Sequence, residues 1–428
     1  MTVRQSTPEE LMEPLKFGVV GIGGFARTHL RCISQLESDG TGILSAAVVR
    51  NRANYRAQLE QLEGSEVEIF QDLPSMLKDG DMDIVTIPTG IQFHVPQTVS
   101  CLRAGYPVIC EKPLAATIQE ADRMLEAQKE SGLPVIVGYQ AIFTNAIQNI
   151  KKRLLGSPLG GPRTVRIKGG WPRDDVYYSR NRWAGRLKVG EDWILDSPIN
   201  NAFAHEVNNA LFLSGPSQHE SAVPRTVQAE FYRARNIESL DTACLRILTS
   251  EGTEILIALS HATEENFDPC IVIQAENGSV TWTQDNGHTT IEYDNGHTEE
   301  FDNFGVDAHL LPFQNGVETV LSKTKALCTP ANARTQTLCI NGAHESCSAI
   351  TTIPPNKVKS VSRPQADGTM KNYHVAEGVD DLIHRCYVEG GLFSELGAEW
   401  GHSGEIFDLT DYASFPKGKG PKIKGADA

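Results

Sequence analysis

The sequence predicts an α/β N-terminal domain with a doubly wound parallel sheet, followed by an α+β domain with an open, largely antiparallel sheet. Three observations support this prediction. From residue 16 to about 140, short apolar runs alternate with longer helix-like stretches, as in parallel α/β sheets. After residue 160, strand-like runs follow one another with short turns, such as residues 276–278. The 428 residues also exceed one ordinary core and suit two domains.

The individual elements follow from these apolar runs. The strands predicted for the first domain lie at 17–21, 44–49, 84–88, 107–110 and 134–138, with 67–70 as a weaker sixth. Those predicted for the second domain lie at 164–168, 226–232, 242–248, 254–260, 270–274, 279–282 and 289–293. Helices are expected over 145–155 and 201–213, and another within 374–400.

These elements divide the chain into four parts. We expect an N-terminal extension over residues 1–15 and a dinucleotide-type α/β domain over 16–140. A substrate-binding and oligomerisation domain is expected over 141–355. Residues 356–428 are expected to form an extension that returns to the body and ends in a loose tail from residue 416.

Composition excludes several classes of protein. The net charge of −15, with no long basic run, argues against a nucleic-acid partner. No apolar stretch approaches the roughly 20 residues that span a bilayer, and the first residues lack a signal-peptide core. Nine cysteines, several within apolar runs, suggest free thiols in a cytoplasmic protein, and no cysteine–histidine group has convincing zinc spacing, so no metal is expected.

A glycine-rich turn follows the first predicted strand. Gly21, Gly23 and Ala26 form the G-x-G-x-x-A version of the dinucleotide fingerprint. The first glycine allows a tight turn, the second leaves room for a pyrophosphate, and the alanine lets the next helix pack closely on the sheet. Alone this motif is a weak signal.

A lysine follows another apolar strand in the same domain. The run 106–110 leads into Glu111, Lys112 and Pro113, which places Lys112 at the carboxyl edge of the sheet, where ligands bind. Desolvation and a positively charged nicotinamide ring would lower its pKa, so it can take the proton of a substrate hydroxyl. The alternative is a structural lysine paired with Glu111.

Together these motifs resemble the Gfo/Idh/MocA family of glucose–fructose oxidoreductases and inositol dehydrogenases, from about residue 16 to about 350. Segments 84–89, 111–115 and 137–140, and His94, also occur in the family's order. The resemblance implies a Rossmann domain and an NAD(P)-dependent oxidoreductase that acts on CH–OH groups of a sugar, sugar derivative or cyclitol. It also implies a homodimer or homotetramer that pairs through the open sheet face.

The second strand bears on the choice between NAD and NADP. An acidic residue that binds the adenosine ribose is common at its end, but here Arg50 and Asn51 follow the strand. Arg50 favours a 2′-phosphate, and therefore NADP or dual use; alternatively it is solvated and Asn51 binds the ribose. The predicted dinucleotide contacts are Gly21, Gly23, Gly24, Phe25, Ala26, Arg50, Asn51, Pro88, Thr89, His94, Glu111, Lys112, Gln140 and Trp183.

A second catalytic candidate lies in the predicted helix 201–213. Asn201 and His205 are four residues apart, where the inositol-dehydrogenase branch has an aspartate and a histidine that assists proton transfer. An amide cannot ionise, so Asn201 can orient a group but cannot stabilise an imidazolium as a carboxylate would. Asp196 lies five residues earlier, across a proline, and is no helix-register substitute. The alternative is a structural His205.

The segment 170–185 is rich in aromatic, arginine and asparagine side chains. Such groups match the apolar faces and hydroxyls of sugars, although an aromatic-pinned structural loop is the alternative. Arg182 and Trp183 resemble the family's region beside the nicotinamide. The predicted substrate contacts are Lys112, Trp171, Arg173, Arg180, Asn181, Asn200, Asn201 and His205.

Three functions are compatible with these residues. The first is hydride transfer between a secondary hydroxyl of a carbohydrate or cyclitol and the nicotinamide, with Lys112 and His205 managing the proton. The second is an NAD-dependent, redox-neutral glycoside hydrolase of the same family. The third is a catalytically inactive dinucleotide sensor or scaffold, against which the presence of both Lys112 and His205 argues.

Overall fold

The computed structural model describes residues 13–322, 324–418 and 421. Its first sheet is parallel, with six strands in the order β3-β2-β1-β4-β5-β6. The strands are β1 (Leu15–Val20), β2 (Gly42–Val48), β3 (Glu68–Phe70), β4 (Ile84–Ile87), β5 (Val108–Cys110) and β6 (Val135–Val137). The helices between them are α1 (Ala26–Ser38), α2 (Arg56–Glu63), α3 (Leu73–Asp79), α4 (Ile91–Arg103) and α5 (Ile118–Ser131).

This sheet is buried on both faces, which explains why its strands are continuous apolar runs. Phe17 and Ile84 belong to the main core, whereas Val19 and Ala47 belong to a smaller cluster on the other face. The strand order reverses between β1 and β4, and ligands bind at the carboxyl edge beside such a reversal.

The second sheet has ten strands, nine of them in the order β16-β15-β14-β13-β7-β12-β11-β10-β17, and β20 pairs with β10. Most pairs are antiparallel; β7 with β12 and β10 with β17 are parallel. The strands are β7 (Pro162–Gly170), β10 (Pro224–Arg233), β11 (Thr242–Thr249), β12 (Glu254–Ser260), β13 (Phe267–Ala275), β14 (Gly278–Thr283), β15 (Thr289–Tyr293), β16 (Thr298–Phe301), β17 (Thr351–Thr352) and β20 (Phe407–Asp408).

The remaining elements come after β6, and one of the helices, Leu311–Ser322, packs against β5, β6 and α1 of the first domain. The helices are α6 (Asn145–Leu154), α7 (Asp175–Ser179), α8 (Ala204–Leu213), α9 (Leu311–Ser322), α10 (Pro330–Ser346) and α11 (Val379–Glu389). Two small hairpins are formed by β8 (Lys188–Val189) with β9 (Asp192–Trp193) and by β18 (Val358–Pro364) with β19 (Met370–Ala376). The predicted fold class of both domains is confirmed, while the exact domain boundaries stay predictions.

Helix α10 joins the two sheets. It packs against α5 of the first domain and against α8 and β10 of the second. Asn341 on this helix accepts a hydrogen bond from the Ile118 amide at 2.8 Å and donates one to the Ala116 carbonyl at 2.9 Å. Because these groups are buried, their pairing fixes the start of α5 against the second domain.

The chain's own C-terminal segment covers the apolar part of the second sheet's outer face. Tyr232, Leu256 and Ala258 on that face pack with Ile383 of α11 and with Phe393 in one buried cluster. Polar contacts reinforce the cover, since the Ser394 amide donates to the Glu230 carboxylate at 3.2 Å and the His402 amide donates to the Tyr232 hydroxyl at 3.0 Å. Residues 353–404 therefore dock on β7 and β10–β12.

The rest of the outer face is mostly polar. On β13–β15 the side chains that alternate with the buried ones are Val272, Gln274, Ser279, Thr281, Thr290 and Glu292. Association through this face was predicted from an uncovered apolar surface, and the C-terminal cover removes that reason. Self-association stays a prediction without this basis.

Parts of the two predicted terminal segments lie outside the residues that the structure describes. Residues 1–12 of the expected N-terminal extension fall outside it, as do most of those after 418 in the expected tail. The described residues contain no helix that is both long and apolar enough to cross a membrane.

Candidate active site

A cavity of about 1170 Å³ lies at the carboxyl edge of the parallel sheet. One part of its wall is the glycine turn after β1 together with the end of β2, and another part is the segment 171–183 of the second domain. Lys112 and Asn201 also line the cavity. The sheet edge and the second domain therefore enclose one shared space.

The glycine turn fits a dinucleotide. Gly21 has a φ of 99°, which an L side chain rarely adopts, and its amide donates to the Val48 carbonyl at 3.0 Å. A Cβ at Gly23 would lie 2.4 Å from the Tyr55 ring, so a larger residue here would displace that ring. Helix α1 begins at Ala26 and brings its N-terminal amides to the cavity wall, where phosphates bind well.

The end of β2 carries no acidic residue into the cavity. Arg50, Asn51, Asn54 and Tyr55 line this part of the wall, and no carboxylate belongs to it within the described ranges. Arg50 is exposed, its backbone carbonyl accepts a hydrogen bond from the Gln71 side chain at 2.8 Å, and its charge also acts on Asp72. This end suits an adenosine ribose with or without a 2′-phosphate.

Lys112 is held toward the second domain. Its Nζ donates a hydrogen bond to the Asn201 carbonyl oxygen at 2.7 Å. Burial lowers the pKa of Lys112, while the negative charges of Glu111, Glu206 and Asp196 oppose that change. Burial is the largest effect, so the neutral amine, which can accept a proton, is populated at a lower pH than in an ordinary lysine.

Glu111 does not form an ion pair with the Lys112 side chain. One carboxylate oxygen lies 3.1 Å from His29 Nε2, and the other accepts the Lys112 backbone amide at 3.2 Å. The structure therefore gives no support to a Lys112–Glu111 pair as the reason for the lysine. Glu111 instead connects helix α1 to the loop that carries Lys112.

The predicted helical pairing of Asn201 with His205 is wrong. Helix α8 begins at Ala204, and Asn201 has a φ of −132° and a ψ of −81°, outside the helical region. The Asn201 side chain donates to Asp196 Oδ1 at 2.8 Å, while its carbonyl binds Lys112. These two bonds hold it in the turn before the helix, so its amide pairs with Asp196 in space.

His205 lies close to Lys112 but does not belong to the lining of the large cavity. Its ring packs edge-on against the Tyr139 ring, with centroids 5.7 Å apart, and its buried Nδ1 has no hydrogen-bond partner among the described residues. Burial, with the nearby charge of Lys112, depresses the pKa of His205 well below its usual value. The imidazole is therefore neutral near pH 7 and can accept a proton only at a high free-energy cost.

Glu206 is a buried carboxylic acid beside His205 on α8. Burial raises its pKa to about 7, against the opposing charge of Lys112. Its Oε2 has no hydrogen-bond partner among the described residues. A carboxyl group with this pKa can carry a proton at neutral pH.

The segment 171–183 supplies the aromatic and cationic wall. The Arg173 guanidinium lies 5.5 Å from the centroid of the Trp171 ring and 4.9 Å from that of Tyr177. The Arg180 guanidinium lies 3.5 Å from the Tyr177 centroid and 5.0 Å from that of Trp183. All five residues line the cavity.

Most predicted contacts meet in this cavity. Those in its lining are Gly21, Gly23, Gly24, Phe25, Ala26, Arg50, Asn51, Pro88, Thr89, Glu111, Lys112, Trp171, Arg173, Arg180, Asn181, Trp183 and Asn201. Asn181 also accepts the Trp183 and Ala184 amides at 3.0 and 2.8 Å, so it shapes the loop as well.

Besides His205, three predicted contacts lie outside the lining of the large cavity, and their contact with a ligand stays a prediction. His94 is buried, with Nδ1 2.8 Å from the Pro113 carbonyl and Nε2 2.9 Å from the Thr89 carbonyl, so its ring links two backbone segments. Asn200 is buried and donates to the Leu195 carbonyl at 3.2 Å. Gln140 lines a small adjoining space rather than the large cavity.

Sequence reasoning missed several site residues. Asn54, Tyr55, Phe93, Gln97 and Tyr177 line the cavity, and Glu206 is buried near Lys112. Tyr55 comes five residues after Arg50, so its place just beyond the end of β2 could have marked it as a neighbour of the dinucleotide site. Glu206 follows His205 directly, and an acidic residue within a largely apolar helix could have indicated a buried carboxyl group.

Comparison with known proteins supports one family. Residues 15–139 match the GFO_IDH_MocA model, described as an oxidoreductase family with an NAD-binding Rossmann fold. Inositol 2-dehydrogenase of Klebsiella pneumoniae is 25% identical over 268 residues, which are 62% of this chain and 72% of that protein. Inositol 2-dehydrogenase of Paracoccus denitrificans is 28% identical over 45% of this chain and 52% of its own length.

Solved structures share the fold. The WlbA dehydrogenase of Bordetella pertussis, in complex with NADH and UDP-GlcNAcA, has a TM-score of 0.63 at 23% identity over 77% of this chain and 95% of that one. An oxidoreductase of Agrobacterium radiobacter, in complex with NAD+, L-tartaric acid and magnesium, has a TM-score of 0.64 at 20% identity over 78% and 96% of the two chains.

Proposed function

We propose that this chain is an oxidoreductase of the Gfo/Idh/MocA family, whose NAD-binding model matches residues 15–139, and that it oxidises a secondary hydroxyl of a sugar, sugar derivative or cyclitol. The observation that carries the proposal is the position of Lys112, in the wall of a cavity shared by the glycine turn and the 171–183 segment. The dinucleotide, NAD or NADP, supplies hydride acceptance when it is bound.

Lys112 is the proposed general base. Oxidation removes a hydride from the substrate carbon and a proton from its hydroxyl, and the proton goes to the Lys112 amine. A lowered pKa keeps part of the amine neutral, and the hydrogen bond to the Asn201 carbonyl fixes the position of Nζ. In the reverse direction the same ammonium returns the proton to a ketone oxygen.

Glu206 is the proposed second proton holder. Its pKa of about 7 lets it exchange a proton at neutral pH, and its charge acts on Lys112. The depressed pKa of His205 makes this imidazole a poor proton store. We therefore assign His205 to positioning, through its neutral ring and its contact with Tyr139.

The test is a panel of sugars and cyclitols incubated with each dinucleotide. Reduced dinucleotide is read by absorbance while chromatography identifies the oxidised product. Lys112→Met should lower kcat by at least about a hundredfold, because general-base catalysis contributes that much, while the Kd for the dinucleotide changes little. Lys152→Met is the matched control, since Lys152 is exposed on α6 away from the cavity.

Two results would reject this function. Full turnover by the Lys112→Met enzyme would remove the assigned base. Cleavage of a glycoside without any net reduced dinucleotide would replace oxidation by a redox-neutral hydrolysis.

A further inference from the structure

The cavity wall carries more positive than negative side chains. Its described lining contains four cationic residues, Arg50, Lys112, Arg173 and Arg180, and one carboxylate, Glu111. Glu111 is already engaged by His29 and by the Lys112 amide. Because Arg50 lies at the end of β2, the excess charge toward the second domain comes from Arg173 and Arg180.

These two arginines are held by ring faces. Both guanidiniums lie over the Tyr177 ring, at 4.9 and 3.5 Å from its centroid. A guanidinium stacked on an aromatic ring can still donate its in-plane N–H groups to carboxylate or phosphate oxygens. Arg180 Nη1 already donates to the Tyr177 carbonyl, so a ligand would bind the other donors of Arg180. Arg173 Nε is buried and has no hydrogen-bond partner among the described residues. Buried donors are almost always hydrogen-bonded, so this N–H is expected to bind an acceptor on a ligand.

The acidic side chains around these arginines bind other groups. Asp174 accepts the Tyr177 amide at 2.7 Å and pairs with Lys371 at 2.9 Å. Asp175 pairs with Arg235 and lies 3.5 Å from His374.

Asp196, which is also close, is engaged as well. It accepts the Gly185 amide at 2.6 Å and the Asn201 side chain at 2.8 Å. Neither Arg173 nor Arg180 has a carboxylate within ion-pair distance in the described part of the chain. Other elements take up the negative charge of this region and leave the two arginines to a ligand.

We propose that the substrate carries an anionic group, a carboxylate or a phosphate, which Arg173 and Arg180 bind while its reacting hydroxyl lies at Lys112. This inference rests on the proposed oxidation and narrows its substrate class from carbohydrates in general to acidic ones. Arg173 supplies the buried donor, and the exposed Arg180 supplies a charge at the mouth.

The test compares substrates that differ only in charge. Glucuronate is paired with glucuronamide, and glucose 6-phosphate with glucose, so that separate arms distinguish carboxylate from phosphate. The full-length enzyme with saturating dinucleotide should favour the anionic member of at least one pair by tenfold or more in kcat/KM. Arg173→Met and Arg180→Met should each remove most of that preference, mainly by raising the KM for the anionic member.

Arg186→Met serves as the matched control, because Arg186 is exposed on the same loop and does not line the cavity. If the neutral member of each pair is oxidised with a kcat/KM equal to or higher than that of its anionic partner, the inference is overturned and the proposed oxidation stands. If no member is oxidised, calorimetry with the dinucleotide-loaded protein separates the two ideas. Arginine-dependent binding of the anions would then retain the inference and reject the oxidation, and no binding would reject both.

Discussion

The C-terminal cover of the second sheet provides a test of how the molecule is held together. Phe393, in the segment that follows α11, is fully buried against the sheet, with its ring centroid 6.1 Å from those of Tyr232 and Trp400. Phe393→Ala removes this ring and leaves a cavity among side chains that cannot fully collapse. Truncations of buried Phe cost about 3–5 kcal/mol, and we expect a loss near the lower end.

Two measurements check this expectation. Urea unfolding gives the loss of global free energy, and amide hydrogen exchange in α11 reports local opening of the cover. Opening would expose Tyr232 and Leu256, so the variant should also associate in sedimentation velocity at concentrations where the wild type does not change.

Phe304→Ala is the control, because this ring is 81% exposed and should change stability by no more than about 0.5 kcal/mol. Equal stability losses for the two variants, or less than about 1 kcal/mol for Phe393→Ala, would refute the assignment of Phe393 to a packed cover.

Three further predictions concern the site. Arg50→Ala should raise the KM for NADP at least tenfold and leave the KM for NAD within twofold; unchanged values for both would mean a solvated Arg50. Burial raises the pKa of Glu206 to about 7 from 4.5, so the folded state keeps a proton that the unfolded state releases between these pH values. Wild-type stability therefore falls relative to Glu206→Gln as pH rises, by at most about 1.4 kcal/mol per unit; urea unfolding at pH 5 and 7.5 would reject this with a constant difference. Because burial lowers the pKa of Lys112, kcat/KM for oxidation should rise with pH and level off below the ordinary lysine pKa, and a profile still rising at that pKa would contradict it.

The sheets could be predicted because their strands carry local signals. In the first domain β1 and β4 are apolar on both faces, and in the second the buried residues of β13 and β14 alternate with polar ones. Each pattern is contained within a few residues and needs no knowledge of distant partners.

Helices α9 and α10 were not predicted, and α10 shows why. Its buried residues include Asn332, Gln336, Asn341 and His344, so it lacks the apolar stripe of an amphipathic helix. Two of these polar groups have distant partners, since Gln336 donates to Asn200 Oδ1 at 3.2 Å and Asn341 binds the start of α5. Partners so far apart in sequence cannot be identified from spacing.

The candidate site divides in the same way. Lys112 and the glycine turn follow strands, so topology alone brings them to one edge of the sheet. His94 and Asn200 carry the right chemistry, but their buried backbone contacts withdraw them from the cavity. Tyr177 and Glu206 depend on how the second domain folds over that edge, which no local pattern specifies.

The turn before α8 brings a carboxylate close to Asn201. Leu195 has a φ of 52°, a left-handed conformation that costs a non-glycine residue roughly 1–3 kcal/mol. The next residue, Asp196, binds the Gly185 amide and the Asn201 side chain, while Asn201 binds Lys112 through its carbonyl. A strained turn persists only where many surrounding contacts hold it. Here the turn holds the buried Asp196 carboxylate on Asn201, the residue that binds the proposed base Lys112. Burial raises the pKa of Asp196 and so disfavours its negative charge, and where that charge is present it opposes the lowering of the Lys112 pKa.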